Sequence, residues 1–290
     1  MRSLDVHKTS TATQQSGGIG STVNVNTARP FAIGGFKVAG SVKGVYEENS
    51  EQTSPQVSGL ISNTFNDGSM GALLAVSHQQ RETRLDQAQI DGWLENVGVP
   101  NPVTESGQAY TGNIFSPRNY DHKVTTEERT RTNANLVLQY APSDTLVVTA
   151  DALYSDFDIE ADTTSYGHWF TAPNLEGFGN AKGPVVDANG TVIDLYQEVG
   201  LATDMHAKKF DRLTSTSSLG LNFDWDVNNN LNMTFDISHS SAERDPNNGR
   251  GDQLSLIGYA NRVRFQVDDN ILPYASEFAA ANPAIFSGQQ

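Results

Sequence analysis

Leu219-Gly220-Leu221-Asn222-Phe223-Asp224-Trp225, a polar turn at Val227–Asn230, then Leu231-Asn232-Met233-Thr234-Phe235-Asp236-Ile237 is the stretch that decides the fold. Leu, Leu, Phe and Trp alternate with Gly, Asn and Asp, and Leu, Met, Phe and Ile alternate with Asn, Thr and Asp. Side chains on a strand point to opposite faces in turn, so a period of two gives each segment one apolar and one polar face. Two such segments joined by a short polar turn predict a β-hairpin.

The same unit recurs upstream. Ala134, Leu136, Leu138 and Tyr140 lead through Ala141-Pro142-Ser143-Asp144 into Leu146, Val148, Ala150, Ala152 and Tyr154. Residues 56–65 pair in the same way with 70–82 around Asn66-Asp67-Gly68-Ser69, and Phe36, Val38, Val42 and Tyr46 form a strand before them. An eighth strand is expected near 253–266, its register left open because the alternation breaks at Leu256-Ile257.

The connections alternate in length. Turns of about four residues lie at 66–69, 141–144 and 227–230, and long segments at 85–122 and 161–206, with a shorter one at 243–252. Short turns at one end and long loops at the other are the pattern of transmembrane barrels, although the connection at 49–54 is short where that pattern asks for a loop. Phe65, Tyr140, Phe223 and Trp225 sit near the short turns and Tyr46 and Tyr154 at the opposite strand ends, as interfacial aromatic girdles would. A soluble β-sandwich also alternates, but rarely needs loops of about 40 residues.

Composition narrows the function. The 290 residues hold no cysteine, which excludes disulfide scaffolds and thiolate metal sites. The net charge of −15 makes the chain a poor polyanion binder, so nucleic acid is not an expected partner. Mean hydropathy is −0.44, and no run approaches the length of a membrane helix, but barrel strands need apolar residues only at alternate positions. Met1–Val6 has no basic segment leading into an apolar core and is not a signal peptide.

Gln15-Ser16-Gly17-Gly18-Ile19-Gly20-Ser21-Thr22-Val23-Asn24-Val25-Asn26-Thr27-Ala28-Arg29-Pro30 resembles the end of the plug domain of TonB-dependent receptors, where a Gly-rich turn leads into a G-x-V-N-x-x-T-x-R-P strand just before the barrel. The matching positions are Gly18, Gly20, Val23, Asn24, Thr27, Arg29 and Pro30; Ser21 replaces the usual second glycine and Ala28 a common arginine. Asp5-Val6-His7-Lys8-Thr9 and Ala12 look like the approach to that motif, and Gly40–Tyr46, Val57–Phe65, Leu136–Asp144 and Asp151–Phe157 look like the opening of the barrel. The resemblance implies an all-β, antiparallel transmembrane barrel, here about 8 strands of a 22-strand whole. It places the end of a plug at 1–30 and the first part of the barrel at 31–290. It further implies the outer membrane and its lipid, energised uptake of a nutrient such as a carbohydrate or an iron chelate, and coupling to the TonB complex through a missing N-terminal part. Without a TonB box, most of a plug or an aromatic-terminated final strand, the chain reads as an internal piece of such a receptor. A self-contained small barrel acting as a porin or adhesin, a soluble carbohydrate-binding module and an outer-membrane hydrolase are the rival classes.

Chemistry is sparse. Gly17-Gly18-Ile19-Gly20 lacks the G-K-[ST] of a phosphate loop. The histidines are scattered and no G-x-S-x-G is present, so neither an enzyme nor a cofactor is expected. Asp156, Asp158, Glu160 and Asp162 offer spaced oxygens that could hold Ca²⁺, although a polar face explains them equally, and Asp224, Asp226, Asn228 and Asn230 raise the same question more weakly. Among the long-loop aromatics, Trp93, Tyr110, Tyr166, Trp169 and Phe170 are the candidates to stack on a ligand, and they could equally pack loop against loop.

Overall fold

The computed structural model describes residues 3–9, 20–198, 202–246, 251–267 and 273–278. The chain is all-β and almost wholly antiparallel. In order, β1 (Ser3–His7) and β2 (Thr22–Asn26) precede a four-residue helix α1 (Pro30–Ile33). Then come β3 (Lys37–Glu47), β4 (Gln52–Phe65), β5 (Met70–Gln89), β6 (Trp93–Glu95), β7 (Val103–Thr104) and β8 (Phe115–Pro117). The long strands β9 (Asn119–Ser143) and β10 (Leu146–Trp169) follow, then β11 (Val185–Val186), β12 (Val192–Gln197) and β13 (Ala202–Asn228). The last are β14 (Leu231–Asp245), β15 (Gln253–Ala260), β16 (Arg262–Gln266) and β17 (Tyr274–Phe278). Among the described residues no helix is long and apolar enough to cross a membrane.

The main sheet runs β14-β13-β10-β9-β5-β4-β3, each strand pairing with its sequence neighbour among the long strands. Register is continuous over long spans, so one residue of each strand defines a row across the sheet. One such row is Val38, Ile61, Leu74, Leu136, Ala152 and Leu219. Toward the short turns, the next but one is Phe65, Met70, Tyr140, Val148, Phe223 and Phe235, so three of the four aromatics expected at that end share a row, and Trp225 lies one row further out, opposite Leu146 and Met233. The turn after β4 is sharp because Asn66 and Asp67 take φ of 52° and Gly68 of 89°, left-handed values that Asn, Asp and Gly tolerate best. No pairing joins β3 to β14 among the described residues, so the sheet has two open edges.

The expected eighth strand is corrected in two ways. Residues 253–260 do not descend from a hairpin loop at 243–252. They pair with Ala202–Lys209 on the same edge of β13 whose lower half carries β14. β14 and β15 are thus two lengths of one edge strand, interrupted between Asp245 and Gln253. Residues 262–266 then leave for a second sheet, ordered β17-β16-β12-β11-β7. The break at Leu256-Ile257 carries no bulge; both residues stay in register, opposite His206 and Met205.

That second sheet joins β7, β11 and β12, from the segments read as long loops, to the end of the expected eighth strand and to β17. It holds the one buried apolar cluster described: Val99, Tyr120, Phe170, Ala172, Leu175, Val186, Val192, Leu195, Val263 and Phe265. Asp194 and Arg264 fasten β12 to β16 with two parallel bonds, Nε to Oδ1 at 2.9 Å and Nη2 to Oδ2 at 2.5 Å. The helical turn expected in the 276–290 tail falls mainly outside the described residues, with Phe278 ending β17.

Candidate functional site: the two faces of the main sheet

The faces of the main sheet have opposite characters. On one, Leu74, Val76, Leu136, Leu138, Leu219, Phe235 and Ile237 stand between 41% and 62% exposed, uncovered by the described residues. The other is polar, and near the short turns it is covered: Ser62, Leu73, Val137, Gln139 and Thr149 are buried there. The cover is the segment after β2. Pro30, the first residue of α1 and itself buried, suits that position because its ring fixes φ and its missing N–H is not needed. The Phe31 backbone N–H donates to Gln139 Oε1 at 2.9 Å, and Gln139 Nε2 donates to Thr149 Oγ1 at 3.1 Å. Gly35 N–H donates to Thr64 Oγ1 at 2.9 Å. Gly71 makes the close approach possible: a Cβ there would lie 2.9 Å from Pro30 Cβ and 3.0 Å from the Phe31 ring.

Gly71→Leu is therefore expected to push the 30–36 segment off the sheet. Overpacking of this kind costs about 1–3 kcal/mol. Chymotrypsin cleavage after Phe31 in the folded protein reads the displacement; unchanged protection would show that the seat is not built on Gly71.

Of the motif read between Gly18 and Pro30, Val23 and Asn24 lie on β2, where Val23 pairs with Val6 and Asn24 with Asp5. Asn26 Nδ2 donates to Asp5 Oδ2 at 2.6 Å. Thr27 and Arg29 connect β2 to Pro30, Gly20 precedes the strand, and Gly18 lies outside the described residues, as does Ala12.

Charge divides between the faces just beyond the apolar rows. On the bare face Glu82, Glu128, Glu160 and Asp211 form one cross-strand row. Burial first, then the nearby Asp211, Asp158 and Glu128 carboxylates, hold the Glu160 carboxyl above the usual carboxylate range. Asp158 is raised likewise, by burial and then mainly by Asp211. One residue away in every strand, on the polar face, the corresponding row reads Arg81, Arg129, Ile159, Arg212. The row below it adds Lys43, Gln56, Gln79, Arg131, Phe157, Thr214 and Arg244. Arg131 lies over the Phe157 ring at 4.0 Å and Arg212 over Phe210 at 4.0 Å.

The carboxylates suggested for calcium, Asp156, Asp158, Glu160 and Asp162, share one face of β10. Asp156 accepts from Ser215 Oγ at 2.6 Å and from Tyr154, and Asp162 pairs with Lys209 at 3.0 Å. Asp224 and Asp226 share Asn232 Nδ2, at 3.0 and 2.9 Å. Among the described residues no group of three His, Asp or Glu is placed to hold an ion.

The loop aromatics divide. Phe170 is a core side chain, tilted against Phe265 at 5.7 Å, and Tyr110 packs on the same cluster. Tyr166 is half-buried, its hydroxyl 3.0 Å from that of Tyr259. Trp169 stacks with the Arg118 guanidinium at 5.5 Å, and Trp93 is 40% exposed. They do not converge on one pocket.

Comparison with protein-family models, with curated proteins and with solved structures finds no match to this chain.

His168 gives the long-loop end a pH response. It is 1% exposed, its Nδ1 is 3.0 Å from Thr203 Oγ1, and burial, with His122 nearby, pushes its pKa down to about 4 from 6.5. The neutral ring is thus the form the fold accepts. Its contribution is complete above pH 6.5 and is lost as pH falls from 6.5 to 4, amounting to about 3 kcal/mol. Thermal melting across that window is expected to show the decline, and His168→Gln to flatten it.

Proposed function

We propose that this chain is part of a TonB-dependent outer-membrane receptor, with the end of a plug at 1–30 and the first strands of the barrel from 31 on, serving energised uptake of a nutrient. The observation that carries the reading is the bare apolar face. In water a folded chain covers such a surface; here it runs uncovered over all the long strands while the polar face is the one given a cover. A barrel in lipid requires that inversion, with apolar side chains outward and polar ones toward the lumen.

Dimensions support it. From Leu146 to Tyr154 the apolar band spans about nine residues, near the 9–11 that a tilted strand needs to cross a bilayer. Phe65, Tyr140, Phe223 and Trp225 would mark the periplasmic interface and Tyr154 the outer one. The segment through Arg29-Pro30-Phe31 then lies on the lumenal side, where a plug joins its barrel, and the β12–β16 sheet becomes an extracellular cap. The open edges of β3 and β14 are costly in lipid and call for further strands. The nutrient would be a carbohydrate or an iron chelate, with the TonB complex as the periplasmic partner.

The test is the apparent mass of the native protein in outer-membrane fractions, detected with an antibody against 161–206. A heat-modifiable band far above 31.4 kDa is the expected result. A heat-modifiable band near 31.4 kDa would replace it with a small closed barrel, and a band in the soluble fraction would overturn the membrane reading.

A further inference from the structure

Resting on that reading, we infer that the lumenal wall recognises an anionic, hydroxyl-rich ligand, a saccharide bearing carboxylate, sulfate or phosphate groups, through a belt of cations above a ladder of hydroxyl and amide side chains.

The belt gathers charge against the composition of the chain. Asp and Glu outnumber Lys and Arg by 34 to 19, yet five of the twelve arginines, Arg81, Arg129, Arg131, Arg212 and Arg244, meet on two adjacent rows of one face together with Lys43. Arg81 and Arg129 are direct cross-strand partners. Like charges placed so destabilise a sheet unless an anion lies between them. These two rows contain no acidic residue. The nearest acids on this face lie one row further out: Glu47, 3.5 Å from Arg81, and Glu127, bonded to Arg129. Asp252 approaches Arg212 at 3.8 Å from the interruption after β14. Half-exposed pairs of this kind contribute little and exchange readily with an anion from solution.

The row directly below is neutral and rich in donors: Ser41, Ser58, Ser77, Asn133, Ser155 and Thr216. Ser41 and Ser58 lie 2.8 Å apart, Asn133 donates to Ser77 at 3.1 Å, and Ser155 donates to Asn133 at 2.7 Å. Guanidinium groups match the oxygens of carboxylate, sulfate or phosphate with two parallel bonds, and the hydroxyl ladder offers both donors and acceptors to sugar hydroxyls. Phe157 and Phe210, each beneath a guanidinium, keep those groups flat against the wall and facing the lumen.

The experiment uses the full chain extracted from outer-membrane fractions in detergent, with its heat-modifiability recorded first. Binding of a galacturonate hexamer is compared with that of a neutral galactose hexamer and of inorganic sulfate alone, for wild type, for Arg129→Gln/Arg131→Gln, and for Glu82→Gln/Glu128→Gln as the opposite-face control. The expected result is uronate binding that weakens with salt, falls at least about ten-fold in the arginine double variant and is unchanged in the control, with the neutral hexamer bound far more weakly. Sulfate binding with the same arginine dependence would assign the belt to the anionic group itself. Absence of uronate and sulfate binding by heat-modifiable wild-type protein, or equal binding by the arginine variant, overturns the inference and leaves the membrane reading standing. Protein that is never heat-modifiable overturns the membrane reading, whatever it binds.

Discussion

Phe265→Ala is expected to cost about 3–5 kcal/mol and to open the β12–β16 sheet while the main sheet stays folded. Phe265 is fully buried and meets Tyr120 edge-on at 5.4 Å and Phe170 at 5.7 Å. Removing its ring would leave a cavity bordered by strands from three separate segments of the chain, which cannot all close in. Leu195 and Val263, also fully buried, would lose packing with it. Trypsin is the probe: Lys182, Arg262 and Arg264 are expected to become cleavable, while Arg81, Arg129 and Arg131 keep their wild-type cleavage rates. Simultaneous loss of both sheets would show that they unfold as one unit.

Leu136→Arg is the second change with a large expected effect, and its size depends on the medium. Leu136 lies mid-row on the bare face at 41% exposure. In water an arginine at so exposed a position changes stability by no more than about 0.5 kcal/mol. At the midplane of a bilayer it costs about 2–4 kcal/mol. Urea unfolding in lipid vesicles, set against Val137→Ser as a change on the covered face, separates the two. A neutral Leu136→Arg in vesicles would remove the apolar band as a lipid contact, and with it the argument for a barrel wall.

The alternation of Leu219–Trp225 and Leu231–Ile237 was sufficient to place the hairpin where β13 turns into β14 and to say which side chains share a face, because a period of two leaves a strand only one way to put all its apolar side chains on one side. The turn at Asn66-Asp67-Gly68 was legible because those residues accept left-handed φ. The long loops were not. The pairings of β7 with β11 and of β12 with β16 join residues 66 to 82 positions apart in strands of two to six residues, too short to display a clear period. For the same reason Tyr110 and Phe170 looked available for a ligand until their packing was known.

Of the polar-face site, Arg29-Pro30 was visible as part of a motif, but its seat was not. Nothing near Gly71, Gln139 or Thr149 announces that a segment 40 to 120 residues earlier will press on them. The cation belt had a faint local sign in Arg81-Glu82, Glu128-Arg129 and Asp211-Arg212, where adjacent opposite charges must face opposite ways on a strand.

The sequence by itself thus determined the middle of each long strand, the short turns and which side chains there share a face, since each follows from local periodicity and backbone preference. Only the tertiary structure decided that β15 extends β14 along β13, that parts of the long loops join 262–278 in a second sheet with its own core, and that five arginines from four strands meet on one face of the main sheet. Those outcomes depend on which distant segments lie side by side, and register between strands brings residues together without leaving a pattern in either strand alone.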